Sequence, residues 1–187
     1  MILYIKNMVC SRCILVVRQQ LESLGFLVSD ISLGSAEILP EPDEEALLKI
    51  SSVLNFLGFE LISKEKDRMI ERIKSLVIER VHHSDLSENN VPFTEFISSQ
   101  LNKDYTYLSK LFSESENITI EKFIIQQKVE KVKELLEYGE LNMNEIADKM
   151  GYSSSAHLSA QFKNVTGFTP SQFKSQERID RKPIDKI

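Results

Sequence analysis

A two-part α+β chain is predicted: a β-α-β-β-α-β segment over residues 1–63, an all-helical segment over 64–176, and a charged, disordered tail over 177–187. Three observations predict it. Apolar residues switch between strand-like and helix-like spacing as far as Ile62. Beyond that point only helical spacing persists. The two regimes meet at the short charged joint Lys64-Glu65-Lys66-Asp67.

Ile2-Leu3-Tyr4-Ile5 is a short β-prone run. From Cys13 to Leu24, Ile14, Val17, Leu21 and Leu24 recur at threes and fours, the mark of an amphipathic helix, and Gly25 stops it. Phe26 to Leu33 reads as a strand, Gly34-Ser35 as a turn, and Ala36 to Leu39 as the hairpin partner. Asp43 opens a second helix carrying Leu47, Ile50, Leu54 and Leu57. Gly58 ends that helix, and Phe59-Glu60-Leu61-Ile62 is a last strand. This order is the split, ferredoxin-like arrangement.

The second segment begins with a helix from Asp67 to Val81. His82 and His83 follow it, placed to act as cations at a helix C-terminus. A long helix spans Ile120 to Glu137. On either side of it lies a cryptic repeat. With Leu108 set against Leu158 and Phe112 against Phe162, Asp104 falls on Ser154, both good N-caps, and Ile97 falls on Ala147. Each copy reads as a helix, a tight turn and a second helix able to enter a major groove. Asn142-Met143-Asn144-Glu145 adds a capping-box pattern at the start of the second copy. Leu108, Leu111, Phe112, Leu158 and Phe162 read as packing residues, and Tyr107 and His157 are expected in core or cap roles.

Composition limits the function classes. With 42% hydrophobic and 27% charged residues the chain is that of an ordinary folded protein. It has no continuous apolar run of about 20 residues, and its first residues lack a secretory pattern. A cytoplasmic location without a membrane partner is therefore expected. The net charge of −5 means that any phosphate contact must come from local patches. No phosphate-cradling glycine loop, nucleophile elbow or convergent carboxylate pair is seen, so the chain is not expected to be an enzyme.

The two cysteines, Cys10 and Cys13, are too few for a disulfide framework and read as a metal or redox pair. They stand at a helix start, where orphan N–H groups and the positive helix end favour thiolate. Two thiolates suit a linear Cu(I)-like soft ion, whereas tetrahedral zinc needs two further ligands. Thiol redox sensing, a different ligand, or no ligand at all are the alternatives. The first 62 residues or so resemble the heavy-metal-associated domain of copper chaperones, in the element order, in Met8-x-Cys10-x-x-Cys13 and in Gly58-Phe59. The resemblance implies that Cys10 and Cys13 hold Cu(I) or another soft metal ion, that Met8 packs beneath the loop and that Phe59 shields it. Taken alone, Phe59 reads as core. Asn7 stands where that family usually has glycine, and Arg12 puts a cation between the thiols.

From about Asp67 to Gln176 the chain resembles the AraC family of bacterial regulators. The most specific strings are Glu145-Ile146-Ala147-x-x-x-Gly151-Tyr152, Leu158-Ser159-x-x-Phe162-Lys163 and Thr166-Gly167-x-Thr169-Pro170-Ser171-x-Phe173. The resemblance implies that Tyr105, Thr106, Ser109 and Lys110 read DNA from the first unit. Ser155, Ala156, Ser159, Ala160 and Lys163 would do so from the second. Ala160 replaces the usual arginine, Lys128 another arginine, and Val132 an alanine. Promoter DNA and RNA polymerase are the implied partners, and a homodimer is compatible with the sequence. The expectation is a transcription regulator whose Cys10–Cys13 module senses a soft ion or a thiol state. Its rivals are a metal chaperone with a partner-docking helical half, and a dithiol oxidoreductase.

Overall fold

The computed structural model describes residues 1–87, 91–175 and 182–186. The chain divides into two compact units, Met1–Glu79 and Arg80–Ile187, and the division falls inside a helix rather than at the charged joint.

The first unit contains β1 (Ile2–Lys6), α1 (Ser11–Ser23), β2 (Leu27–Ser32), β3 (Ser35–Leu39), α2 (Glu44–Phe56), β4 (Glu60–Leu61) and most of α3 (Glu65–His83). Its four strands lie in the order β2-β3-β1-β4, antiparallel at every pairing. Because side chains alternate along a strand, Leu3, Ile5, Val28, Ala36 and Ile38 share one face. They form a core with Val17 and Leu21 of α1 and Ile50 and Leu54 of α2. Asp43 caps α2, its carboxylate accepting from Ala46 N at 2.8 Å. The last strand is shorter than expected. Phe59 sinks into the core instead of pairing, and after Ile62 N donates to Tyr4 O at 2.9 Å the chain turns into α3.

The second unit is helical. After the end of α3 come α4 (Phe93–Leu101), α5 (Tyr105–Glu116), α6 (Ile120–Tyr138), α7 (Met143–Lys149), α8 (Ser155–Thr166) and α9 (Pro170–Lys174). α6 is the central member, buried at Phe123, Val129, Val132 and Leu136, among others, and packed against α5, α8 and α9. Thr119 caps its start and Gly139, at φ +70°, ends it. Most of the predicted tail, Glu177 to Arg181 and Ile187, lies outside the described residues, as does Gln176. Within 182–186 a single 3₁₀ turn forms at Ile184–Lys186, and Lys182 N donates to Glu130 Oε2 at 3.2 Å. Among the described residues no helix is long and apolar enough to cross a membrane.

Candidate functional site

Two helix-turn-helix units stand on either side of α6. In the first, α4 ends at Asn102 in the left-handed conformation (φ +50°), which asparagine tolerates better than most residues. The chain turns through Lys103, and Asp104 then caps α5, accepting from Thr106 N at 2.8 Å and Tyr107 N at 3.2 Å. In the second, the capping box of Asn142 and Glu145 starts α7 as its sequence pattern suggests. Gly151 makes the turn at φ +66°. That left-handed conformation favours glycine, although a Cβ would meet Leu86 only at ordinary contact distance, 3.4 Å. Ser154 then caps α8, accepting from His157 N at 3.1 Å.

Over Tyr105–Phe112 and Ser155–Phe162 the repeat read from the sequence matches in burial, position by position. Leu108 and Leu158 are buried, as are Phe112 and Phe162. Tyr105, Ser109, Ser155 and Ser159 are half-buried. Thr106, Lys110, Ala156, Ala160 and Lys163 are exposed. Each helix therefore turns one face inward and offers solvent the residues expected to meet bases.

Two expectations are corrected here. Tyr107 is 53% exposed and His157 is exposed; neither enters the core. What is capped is the backbone N–H of each. Both side chains extend the outward faces of α5 and α8, as their matched positions in the repeat could have suggested. His157 is steadied by Ser153 Oγ, 3.2 Å from its Nδ1, and by the edge-on ring of Tyr152 at 5.4 Å. The Tyr105 hydroxyl is engaged within the unit, donating to Glu121 Oε1 at 2.5 Å. Burial and that carboxylate push its pKa up.

Behind these faces, α3 and α6 bring cations together. Arg80 is buried over the rings of Phe93 and Phe96, at 4.4 and 4.7 Å, and donates to Val91 O. Lys128 reaches across from α6 to donate to Met150 O at 2.9 Å, with the Tyr152 ring 5.0 Å away and that of Phe93 5.8 Å away. It thus links α6 to both helix-turn-helix units. Burial, and then repulsion from Arg80, lowers its pKa to about 8. An unfolded lysine keeps its proton to higher pH, so between about 8 and 10 the unfolded chain binds more protons than the folded one. Stability must then rise with pH in that interval. Thermal melts of the full chain should show this rise, and Lys128→Met should reduce it.

His82 is also corrected. Its Nε2 lies 2.7 Å from Gln127 Oε1, and the amide oxygen can only accept, so Nε2 carries the hydrogen. Burial, opposed by that hydrogen bond, pushes its pKa down, so the ring is no helix-end cation.

In the first unit Cys10 is the N-cap residue of α1, and its carbonyl accepts from Cys13 N at 3.0 Å. The two sulfurs are 3.5 Å apart, both half-buried and unbridged. Burial opposes ionisation of Cys10, but hydrogen bonds from Cys13 and Arg12 outweigh it and hold the thiol below its ordinary value. Burial pushes Cys13 up. Met8 and Phe59 belong to the core of the first unit, and Cys13 packs against that core. Asn7 adopts φ +71°, a conformation open to glycine and tolerated by asparagine, and its Nδ2 donates to Gly58 O at 2.8 Å. Among the described residues no cluster of three or more His, Cys, Asp or Glu side chains could hold a metal ion.

Comparison with known proteins places the second unit. Residues 97–176 match the family model described as a helix-turn-helix domain. Over 80 residues the chain is 36% identical to the Msm operon regulatory protein of Streptococcus mutans, covering 43% of this chain and 29% of that protein. Over 179 residues it is 25% identical to the HTH-type transcriptional regulator YfiF of Bacillus subtilis, covering 89% of this chain and 56% of that one. The chain thus spans little more than half, or less, of these two relatives. The C-terminal domain of AraT, a response regulator from Geobacillus stearothermophilus, shares the fold, with a TM-score of 0.51 at 24% identity over 64% of this chain and 97% of that one. The second unit of this chain therefore carries a helix-turn-helix domain with the fold of the AraT C-terminal domain, and the proteins it is similar to are transcriptional regulators.

Proposed function

We propose that this protein is a promoter-binding transcription regulator that meets DNA through the outward faces of α5 and α8. One observation carries the reading: two separately capped helices present the same pattern of buried, half-buried and exposed positions, one on each side of α6. Thr106, Tyr107, Ser109 and Lys110 form the first face, with Tyr105 held by Glu121 at its edge. Ser155, Ala156, His157, Ser159, Ala160 and Lys163 form the second. Lys110 and Lys163 supply cation charge that the acidic chain lacks in bulk, and Ala156 and Ala160 suit thymine methyl groups. Contact with RNA polymerase and pairing as a homodimer belong to the same reading. Selection from a random duplex pool tests it. Enrichment of a single site with two protected patches is expected, whereas a pool that stays random removes the reading.

The first unit, in this account, has a ferredoxin-like fold of the heavy-metal-associated kind and senses a soft ion or a thiol state. Its support is the dithiol at the start of α1, with its lowered Cys10 and its neighbour 3.5 Å away. Two thiols without a third ligand fit a two-coordinate soft ion such as Cu(I) and do not supply zinc's usual four ligands. Such an ion would be held by Cys10 and Cys13, with Asn7 shaping the loop. Titration of the reduced protein with Cu(I) against a competing chelator should show binding that is lost in the Cys10→Ser, Cys13→Ser double variant. Unchanged affinity in that variant would rule the dithiol out.

A further inference from the structure

We infer that the first unit holds a second, separate ligand site, a pocket for a small apolar carboxylate, where β4 stops short. β4 pairs only with Ile5 and Lys6, so the sheet edge beside Ile2 and Leu3 has no strand next to it. The chain leaving β4 and the first turns of α2 flank an open-sided cavity of about 430 Å³ there, within the usual range of small-molecule sites. Leu3, Leu47, Leu48 and Leu61 form its apolar wall. Leu48 is 71% exposed and, with the exposed Ile2, carries the apolar lining out to solvent.

Charge selects the ligand. Arg68 lines the pocket from the first turns of α3. Its Nε donates to Ile62 O at 3.3 Å and its guanidinium lies 5.0 Å from the centre of the Tyr4 ring. The group is thus fixed by its Nε and its face, which leaves the terminal nitrogens as a fork of the geometry a carboxylate accepts. Glu44 lies at the rim and is exposed to solvent, where its charge is screened more than that of half-buried Arg68. A medium-chain fatty acid fits both requirements: an alkyl chain against the leucines and a carboxylate on Arg68. This site is independent of the dithiol loop and of DNA binding.

Calorimetric titration of the full chain with sodium octanoate is the test, with octylamine as the control of opposite charge. Saturable octanoate binding is expected, with little response to octylamine. Arg68→Gln should weaken octanoate binding at least tenfold. Leu48→Glu, at an exposed position where folding is not at stake, should weaken it comparably. Absence of saturable binding, binding that survives both substitutions, or a preference for octylamine would each overturn the proposal.

Discussion

Phe112→Ala and Phe162→Ala are each expected to destabilise the helical unit by about 3–5 kcal/mol, the usual cost of emptying a fully buried phenylalanine site. Phe112 is 0% exposed and its ring lies 5.6 Å from that of Phe123. Phe162 is 1% exposed and meets Phe173 edge-on at 5.4 Å. The two residues are counterparts in the repeat and clamp α5 and α8 to the rest of the unit in the same way. A domain is commonly stable by only about 5–15 kcal/mol, so either change removes a large share. Urea melts followed by helix content should show two losses of similar size. A severe loss at one position with none at the other would mean that the two units are not built alike.

The second large effect concerns coupling. α3 begins at Glu65 in the first unit and continues without a break to His83, past the division between Glu79 and Arg80. Residues of both units, the one carrying Cys10 and Cys13 and the one carrying α5 and α8, thus belong to α3. If a soft ion or oxidation of the dithiol changes DNA affinity, linkage requires DNA to change ion affinity or redox poise by the same factor, typically ~5–150-fold. DNA affinity would be measured for the reduced, Cu(I)-loaded and oxidised full chain, and Cu(I) affinity with and without the selected duplex. Equal and opposite-path factors are expected. Identical affinities in every state would leave two independent modules.

Much of this was legible in the sequence because its causes are local. Asp104, Asn142 and Ser154 cap helices with backbone groups two or three residues away, so residue type and spacing suffice to find them. The Leu108–Leu158 and Phe112–Phe162 register follows from helical periodicity, and burial bears it out. Where the cause is a distant neighbour, the sequence was silent. His82 looks like a helix-end cation until Gln127, 45 residues away, is packed against it. Lys128 reads as an ordinary replacement for arginine until Arg80 and the Tyr152 ring are placed around it. Tyr107, expected in a core or cap role, instead occupies an exposed position beside the buried Leu108. The open sheet edge beside Ile2 and Leu3, where the pocket next to Arg68 lies, depends on the chain turning into α3 soon after Ile62.

The most direct measurement of the central claim is the affinity of the full chain for its selected duplex and for a scrambled one, across a range of salt concentrations, with Lys110→Ala beside it. The selected site should be bound ~10³-fold or more tightly than the scrambled one. Affinity should fall as salt rises, and Lys110→Ala should cost about 1–3 kcal/mol on the selected site. Equal binding to both duplexes, or full affinity in Lys110→Ala with α5 otherwise intact, would contradict it.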